Sequence, residues 1–104
     1  MDQSGLHIDQ NVLLVTKDLR QDFDLAFDQA CNELLEFNGE DLTIDLGSVD
    51  YINSTYIGMI AATYFQAQAN GKSLRVLAKG QVLKLLRSAG FDGYIKLQEA
   101  NAEN

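Results

Sequence analysis

The chain has 104 residues, 46% apolar and 22% charged, which is enough for one domain with a real core and excludes global disorder. Fifteen acids against eight Lys and Arg give a net charge of -7, which argues against nucleic acid or an anionic membrane surface as a partner, since both demand a basic surface. No apolar run approaches the roughly 20 residues that span a bilayer, and a lone cysteine, Cys31, excludes an intrachain disulfide.

Residues 1–5 lack the basic-then-apolar pattern of a secretion signal, so a small cytoplasmic domain with no membrane insertion is expected. Leu6-His7-Ile8-Asp9 then alternates with period two, as a half-buried strand does. The denser run Val12-Leu13-Leu14-Val15 suits a strand covered on both faces, and Gln10-Asn11 between the two reads as the tight turn of a hairpin. The period changes from Asp22 onward. Phe23, Ala26, Phe27, Ala30, Leu34 and Phe37 recur at three- and four-residue spacing, with acids between them, predicting an amphipathic helix that Asn38-Gly39 closes through a left-handed glycine. Alternation at 42–46 predicts a strand, 47–53 a loop, and Ile57, Ile60, Ala61, Tyr64 and Ala67 a second helix ending at Asn70-Gly71. A strand at 74–77, a short helix through Val82, Leu85, Leu86 and Ala89 to Gly90, and a last strand at 94–97 complete the chain. Residues 99–104 read as a polar tail. The order β-β-α-β-α-β-α-β predicts a single α/β domain over 1–104, with right-handed crossovers joining parallel strands into a mixed sheet.

Signatures of catalysis are missing. There is no G-x-G-x-x-G and no P-loop, so no nucleotide cofactor is expected. One histidine and one cysteine do not make a metal centre: His7 reads as a strand-surface residue and Cys31 as a small buried one. The segment Asp50-Tyr51-Ile52-Asn53-Ser54-Thr55-Tyr56-Ile57-Gly58 is different, because it delivers two hydroxyls to the first turn of a helix. Capping by Asn53 or Ser54 needs only one polar residue, and three stand in a row. A helix N-terminus also favours an anion such as a phosphate, so a cap and a modification site both fit. Gly58, costly in a helix, suggests close approach of another backbone, from within the fold or from a partner.

The run Leu42-Thr43-Ile44-Asp45-Leu46-Gly47-Ser48-Val49-Asp50-Tyr51-Ile52-Asn53-Ser54-Thr55-Tyr56-Ile57-Gly58 resembles the core of the STAS family, the anti-sigma factor antagonist domains. That family carries a strand ending in Asp-Leu, a loop, and Asp-Ser-[Ser/Thr]-Gly-[Leu/Ile]-Gly opening a helix. Leu83-Lys84-Leu85-Leu86-Arg87-Ser88-Ala89-Gly90-Phe91 resembles the family's third helix and its glycine exit, and the likeness covers about 5–98. It implies a single STAS-like domain, not an enzyme, that binds proteins and is regulated by phosphorylation on Ser54, with Thr55 as the alternative. The implied partners are a GHKL-type serine kinase that doubles as anti-sigma factor and a PP2C-type phosphatase, in a bacterial partner-switching pathway. Asn53, Ser54, Thr55, Tyr56 and Gly58 are the implied contact residues, and the Tyr56 ring is expected to be partly exposed as an anchor. Asn53 stands where the family has Asp, and Tyr56 where it has Gly. These departures also fit an unphosphorylated STAS scaffold subunit of a signalling or transporter-associated complex. The tail after Leu97 leaves little room for the fourth helix that many members carry.

Overall fold

The computed structural model describes residues 5–20 and 22–100. The opening hairpin forms as the alternation predicts: β1, Leu6–Asp9, runs antiparallel to β2, Val12–Val15, with Leu6 opposite Val15 and Asp9 opposite Val12. Gln10 turns the chain with a φ of 56°, a conformation that a non-glycine side chain adopts only at a modest cost. Helix α1, Asp24–Leu35, buries Phe27, Ala30, Cys31 and Leu34 along one stripe. It stops short of Asn38-Gly39, and Gly39 is not left-handed. The chain instead leaves through tight turns, Glu36 N–H to Glu33 O and Phe37 N–H to Leu34 O, while the Lys72 ammonium donates to the carbonyls of Phe37 and Gly39. A Cβ at 39 would run into the Phe37 ring, which would have to shift to admit it.

Strand β3, Asp41–Asp45, leads through the loop to helix α2, Ser54–Ala69. This helix ends where Asn70-Gly71 predicts, with Gly71 at φ 74° and the Lys72 N–H returning to the Ala67 carbonyl. Strand β4, Ser73–Ala78, is followed by helix α3, Gly80–Ser88, and Gly90 takes the left-handed exit at φ 85°. A 3-10 turn, Phe91–Gly93, follows, and the N–H groups of Tyr94 and Ile95, the residues expected to open the last strand, both return to the Phe91 carbonyl. Strand β5 is therefore Lys96–Glu99, two residues later than the alternation at 94–97 suggests. Glu99 thus belongs to the sheet rather than to a tail, and the Ala100 N–H still donates to the Ala78 carbonyl. The tail expectation for 101–104 and the reading of residues 1–4 lie outside the described residues.

The five strands lie in the order β1-β2-β3-β4-β5, with β2 to β5 parallel. Three consecutive right-handed crossovers that all step in one direction must place all three helices on the same side. The register agrees. Ile8, Leu13, Ile44, Val76 and Leu97 form one cross-strand row toward the helices, where Leu13, Ile44 and Val76 are buried. The next row along the strands, Val12, Thr43, Arg75 and Lys96, faces away, with none of its members buried. Strand β2 is accordingly covered on one face only: Val12 and Leu14 are half-buried, and the expectation of two covered faces does not hold.

Candidate functional site

The loop from β3 to α2 is held from both ends. Asp45 accepts the Gly47 N–H through its carboxylate at 2.9 Å, and Val49 and Ile52 are buried as anchors. The segment before α1 lies alongside it: Leu19 forms a parallel bridge with Ile52, its N–H donates to the Tyr51 carbonyl at 2.9 Å, and the Asp18 carboxylate accepts the Asp50 N–H at 2.9 Å. Two chain stretches far apart in sequence thereby make one surface at the start of α2.

Asn53 is the N-cap. Its extended backbone (φ -112°, ψ 176°) lets the side-chain carbonyl accept from the Thr55 N–H at 2.9 Å and the Tyr56 N–H at 3.4 Å. Capping therefore falls to Asn53, and the Ser54 and Thr55 side chains both stand exposed beside it. Gly58, one turn on, is exposed too, and nothing lies within 4 Å of where its Cβ would be. Close approach of another backbone within the fold is thus ruled out as the reason for this glycine.

Tyr56 corrects the expectation of a partly exposed anchor. It is 0% exposed, its ring meets Phe27 edge-on at 5.4 Å, and its hydroxyl donates to the Arg20 carbonyl. Helical geometry explains the burial, since Tyr56 and Ile60 lie four residues apart on the face turned to the sheet. Burial pushes the phenol pKa upward, with Asp24 adding to the rise. Of the five predicted contact residues, Asn53, Ser54, Thr55 and Gly58 gather on the surface, and Tyr56 supports them from beneath.

Sequence patterns missed the neighbours of this site. The Arg20 guanidinium lies 4.4 Å over the Tyr51 ring and 3.5 Å from Asp18, while the Lys17 ammonium lies 4.5 Å over Phe23. A shallow depression of about 430 Å³ is lined by Lys17, Asp18, Arg20, Asp22 and Phe23. Leu25, at the start of α1, is 69% exposed. Residues 16–20 carry no periodic pattern, and only their tertiary contacts, the Leu19–Ile52 bridge, the Asp18–Asp50 hydrogen bond and the Arg20–Tyr51 stack, show that they belong here.

His7 and Cys31 lie where the sequence places them, one at the surface and one buried. His7 is exposed on β1, beside a groove of about 230 Å³ shared with Ala26, Ala30 and Glu33. Cys31 is 2% exposed, and burial raises its thiol pKa from 9.0 to about 12, with the Thr63 hydroxyl opposing the rise and Asp28 adding to it. A thiol so protonated is a poor nucleophile. Among the described residues no group of three or more His, Cys, Asp or Glu side chains could hold a metal ion, and no helix is long and apolar enough to cross a membrane.

Comparison with known proteins agrees with this architecture. The family model described as "Mlab, STAS domain" matches residues 5–99. A solved structure from Thermotoga maritima, described as a candidate anti-sigma factor antagonist, superposes with a TM-score of 0.77 at 18% identity, covering 93% of this chain and 86% of that one. At that identity the likeness concerns the fold. A search of curated proteins finds no match.

Proposed function

The chain belongs to the STAS family, and on that premise we propose that it is a non-catalytic binding module, an anti-sigma factor antagonist switched by phosphorylation of Ser54. One observation carries the reading: Asn53 alone caps α2, which leaves two exposed hydroxyls, Ser54 and Thr55, on a surface held rigid by the Asp18–Asp50 and Leu19–Tyr51 hydrogen bonds. The proposed partner is a GHKL-type kinase that is also the anti-sigma factor, and a PP2C-type phosphatase reverses the mark. A phosphate on Ser54 adds roughly -1.5 to -2 charges. The fold tolerates that charge at a helix N-terminus. A partner docked over Ser54, Thr55 and Gly58 must instead desolvate a dianion, so the charge acts at the interface without any change of fold.

The second reading, an unphosphorylated scaffold subunit, is favoured by the two departures from the family motif. Asn53 supplies a cap without a charge, and Tyr56 fills the core at the position of the family glycine. One experiment separates the readings. The chain is incubated with its cognate kinase and ATP, and the modified residue is mapped by mass spectrometry. Ser54→Ala is expected to abolish the mark and keep binding, while Ser54→Asp is expected to weaken binding by roughly tenfold or more, about 1.4 kcal/mol. A mark on Thr55 moves the switch by one residue. No mark, together with Ser54→Asp binding like the wild type, assigns the scaffold role.

A further inference from the structure

Charge is not spread evenly along this chain. Residues 1–50 hold twelve acids and two bases, residues 51–71 hold no charged side chain at all, and residues 72–104 hold six bases and three acids. The uncharged stretch includes the whole of α2, although α2 has a full solvent face: Thr55, Gly58, Ala62, Phe65 and Ala69 are all exposed and fall on one line at alternating three- and four-residue steps. Phe65 is 59% exposed and stacks on Tyr94, itself 40% exposed, with ring centroids 5.7 Å apart and planes within 10°. Tyr64 joins both rings at 5.2 Å. Depletion of charge with exposed aromatics is what the centre of a protein interface looks like.

The fold puts opposite charges on the two flanks of this face. Helix α1 lies over β1 and β2 and against α2; on the other side the 3-10 turn packs on α3, and Tyr94, the residue after it, meets Tyr64 of α2. On α1, which packs against α2, Asp24 and Asp28 are exposed. On α3, Lys84 and Arg87 are exposed. The helical layer thus runs acidic, apolar, basic.

We propose that a second copy of this chain docks on the outer face of α2, with the two-fold axis running along that helix. An isologous contact requires a surface complementary to itself. A two-fold along α2 brings the acidic α1 of one copy opposite the basic α3 of the other, whereas a two-fold across α2 sets like charges together. The axis also meets the uncharged residues, so Phe65 and Ala62 face their own equivalents, and exposed Gly58 leaves room for the second backbone. A standard interface takes roughly 800 Å² per partner, about one-seventh of the 5947 Å² surface of the chain. The inference does not rest on phosphorylation, but its seam shares Thr55 and Gly58 with the surface proposed for the kinase, so the second copy and that partner exclude each other.

Sedimentation equilibrium of the full chain is the test. A reversible dimer is expected, weakened in 1 M salt, where the screening length falls to about 3 Å. Phe65→Glu, which places two carboxylates at the axis, is expected to weaken it at least tenfold. Lys84→Glu with Arg87→Glu is expected to dissociate it, and adding Asp24→Lys with Asp28→Lys is expected to restore it, because both flanks have then exchanged sign. Circular dichroism checks that each variant is folded. Ala62→Cys supplies an independent readout: with Cys31 buried, mild oxidation is expected to give a disulfide-linked dimer. A monomer at every concentration to roughly 1 mM, a dimer indifferent to Phe65→Glu, no cross-link through Ala62→Cys, or a charge exchange that restores nothing overturns the proposal.

Discussion

Tyr56 shows how much one side chain can hold. Its ring is enclosed against Phe27, and its hydroxyl ties the first turn of α2 to the Arg20 carbonyl in the segment before α1. Truncation to alanine is expected to cost about 3–5 kcal/mol, the range for deleting a buried aromatic. Tyr56→Phe keeps the ring and leaves a carbonyl unpaired, for about 1–2 kcal/mol. Thermal unfolding should rank the two in that order; equal, near-zero losses would return Tyr56 to the surface. The same burial makes a second prediction. The pKa of Tyr56 is raised in the folded chain, and that of Cys31 is raised from 9.0 to about 12. Above pH 9 the unfolded chain gives up its thiol proton while the folded chain keeps it, so the unfolded state binds fewer protons and stability falls as pH rises. The cysteine contribution is complete below 9.0 and is lost as pH climbs toward 12. Urea titrations at about pH 8 and about pH 10 should show this loss, and Cys31→Ala should make it shallower.

At the scale of the element, α2 carries both its strongest and its weakest local choice. Asn53 satisfies two first-turn amides, and Asn53→Ala is expected to cost about 1 kcal/mol. Gly58 does the reverse. It is exposed inside a helix with open space at its Cβ, so Gly58→Ala is expected to stabilise the isolated chain by up to about 1 kcal/mol. Chemical unfolding of both variants checks the pair, and a destabilised Gly58→Ala would mean that an unseen contact demands glycine. Helix boundaries were legible where local chemistry sets them: Asn53 starts α2, and Gly71 and Gly90 end their helices in the left-handed conformation. They were misread where tertiary packing intervenes. Gly39 lies against the Phe37 ring rather than at a left-handed helix exit, and Phe91 is drawn into the core, so that a 3-10 turn delays β5. Ser54 and Thr55 were legible as surplus hydroxyls. Arg20 and Tyr51 were not, because their meeting depends on a bridge between distant stretches.

The whole molecule is a sheet with all its helices on one side, and this arrangement, which follows from strand order and crossover handedness, is invisible in any single segment. Val12-Leu13-Leu14-Val15 reads as a strand buried on both faces because four apolar residues stand in a row; only the full topology shows that, among the described residues, no helix covers one of those faces. The two leucines of β2 therefore test the layering directly, since they are adjacent, chemically identical and point in opposite directions. Leu13 is 0% exposed and pairs with Ile44 in the row beneath the helices. Leu14 is half-buried and pairs with Asp45 on the open face. Leu13→Ala removes a full complement of packed neighbours and leaves a cavity, for an expected loss of about 2–5 kcal/mol. Leu14→Ala leaves no enclosed cavity, because solvent already reaches the site, and only part of its apolar area was withdrawn from water; the expected loss is about 1 kcal/mol. Equilibrium unfolding in urea gives both numbers on one scale. Similar large losses at the two positions would mean that the open face is covered in solution, by a further segment or a partner, and one-sided layering would no longer describe the working molecule.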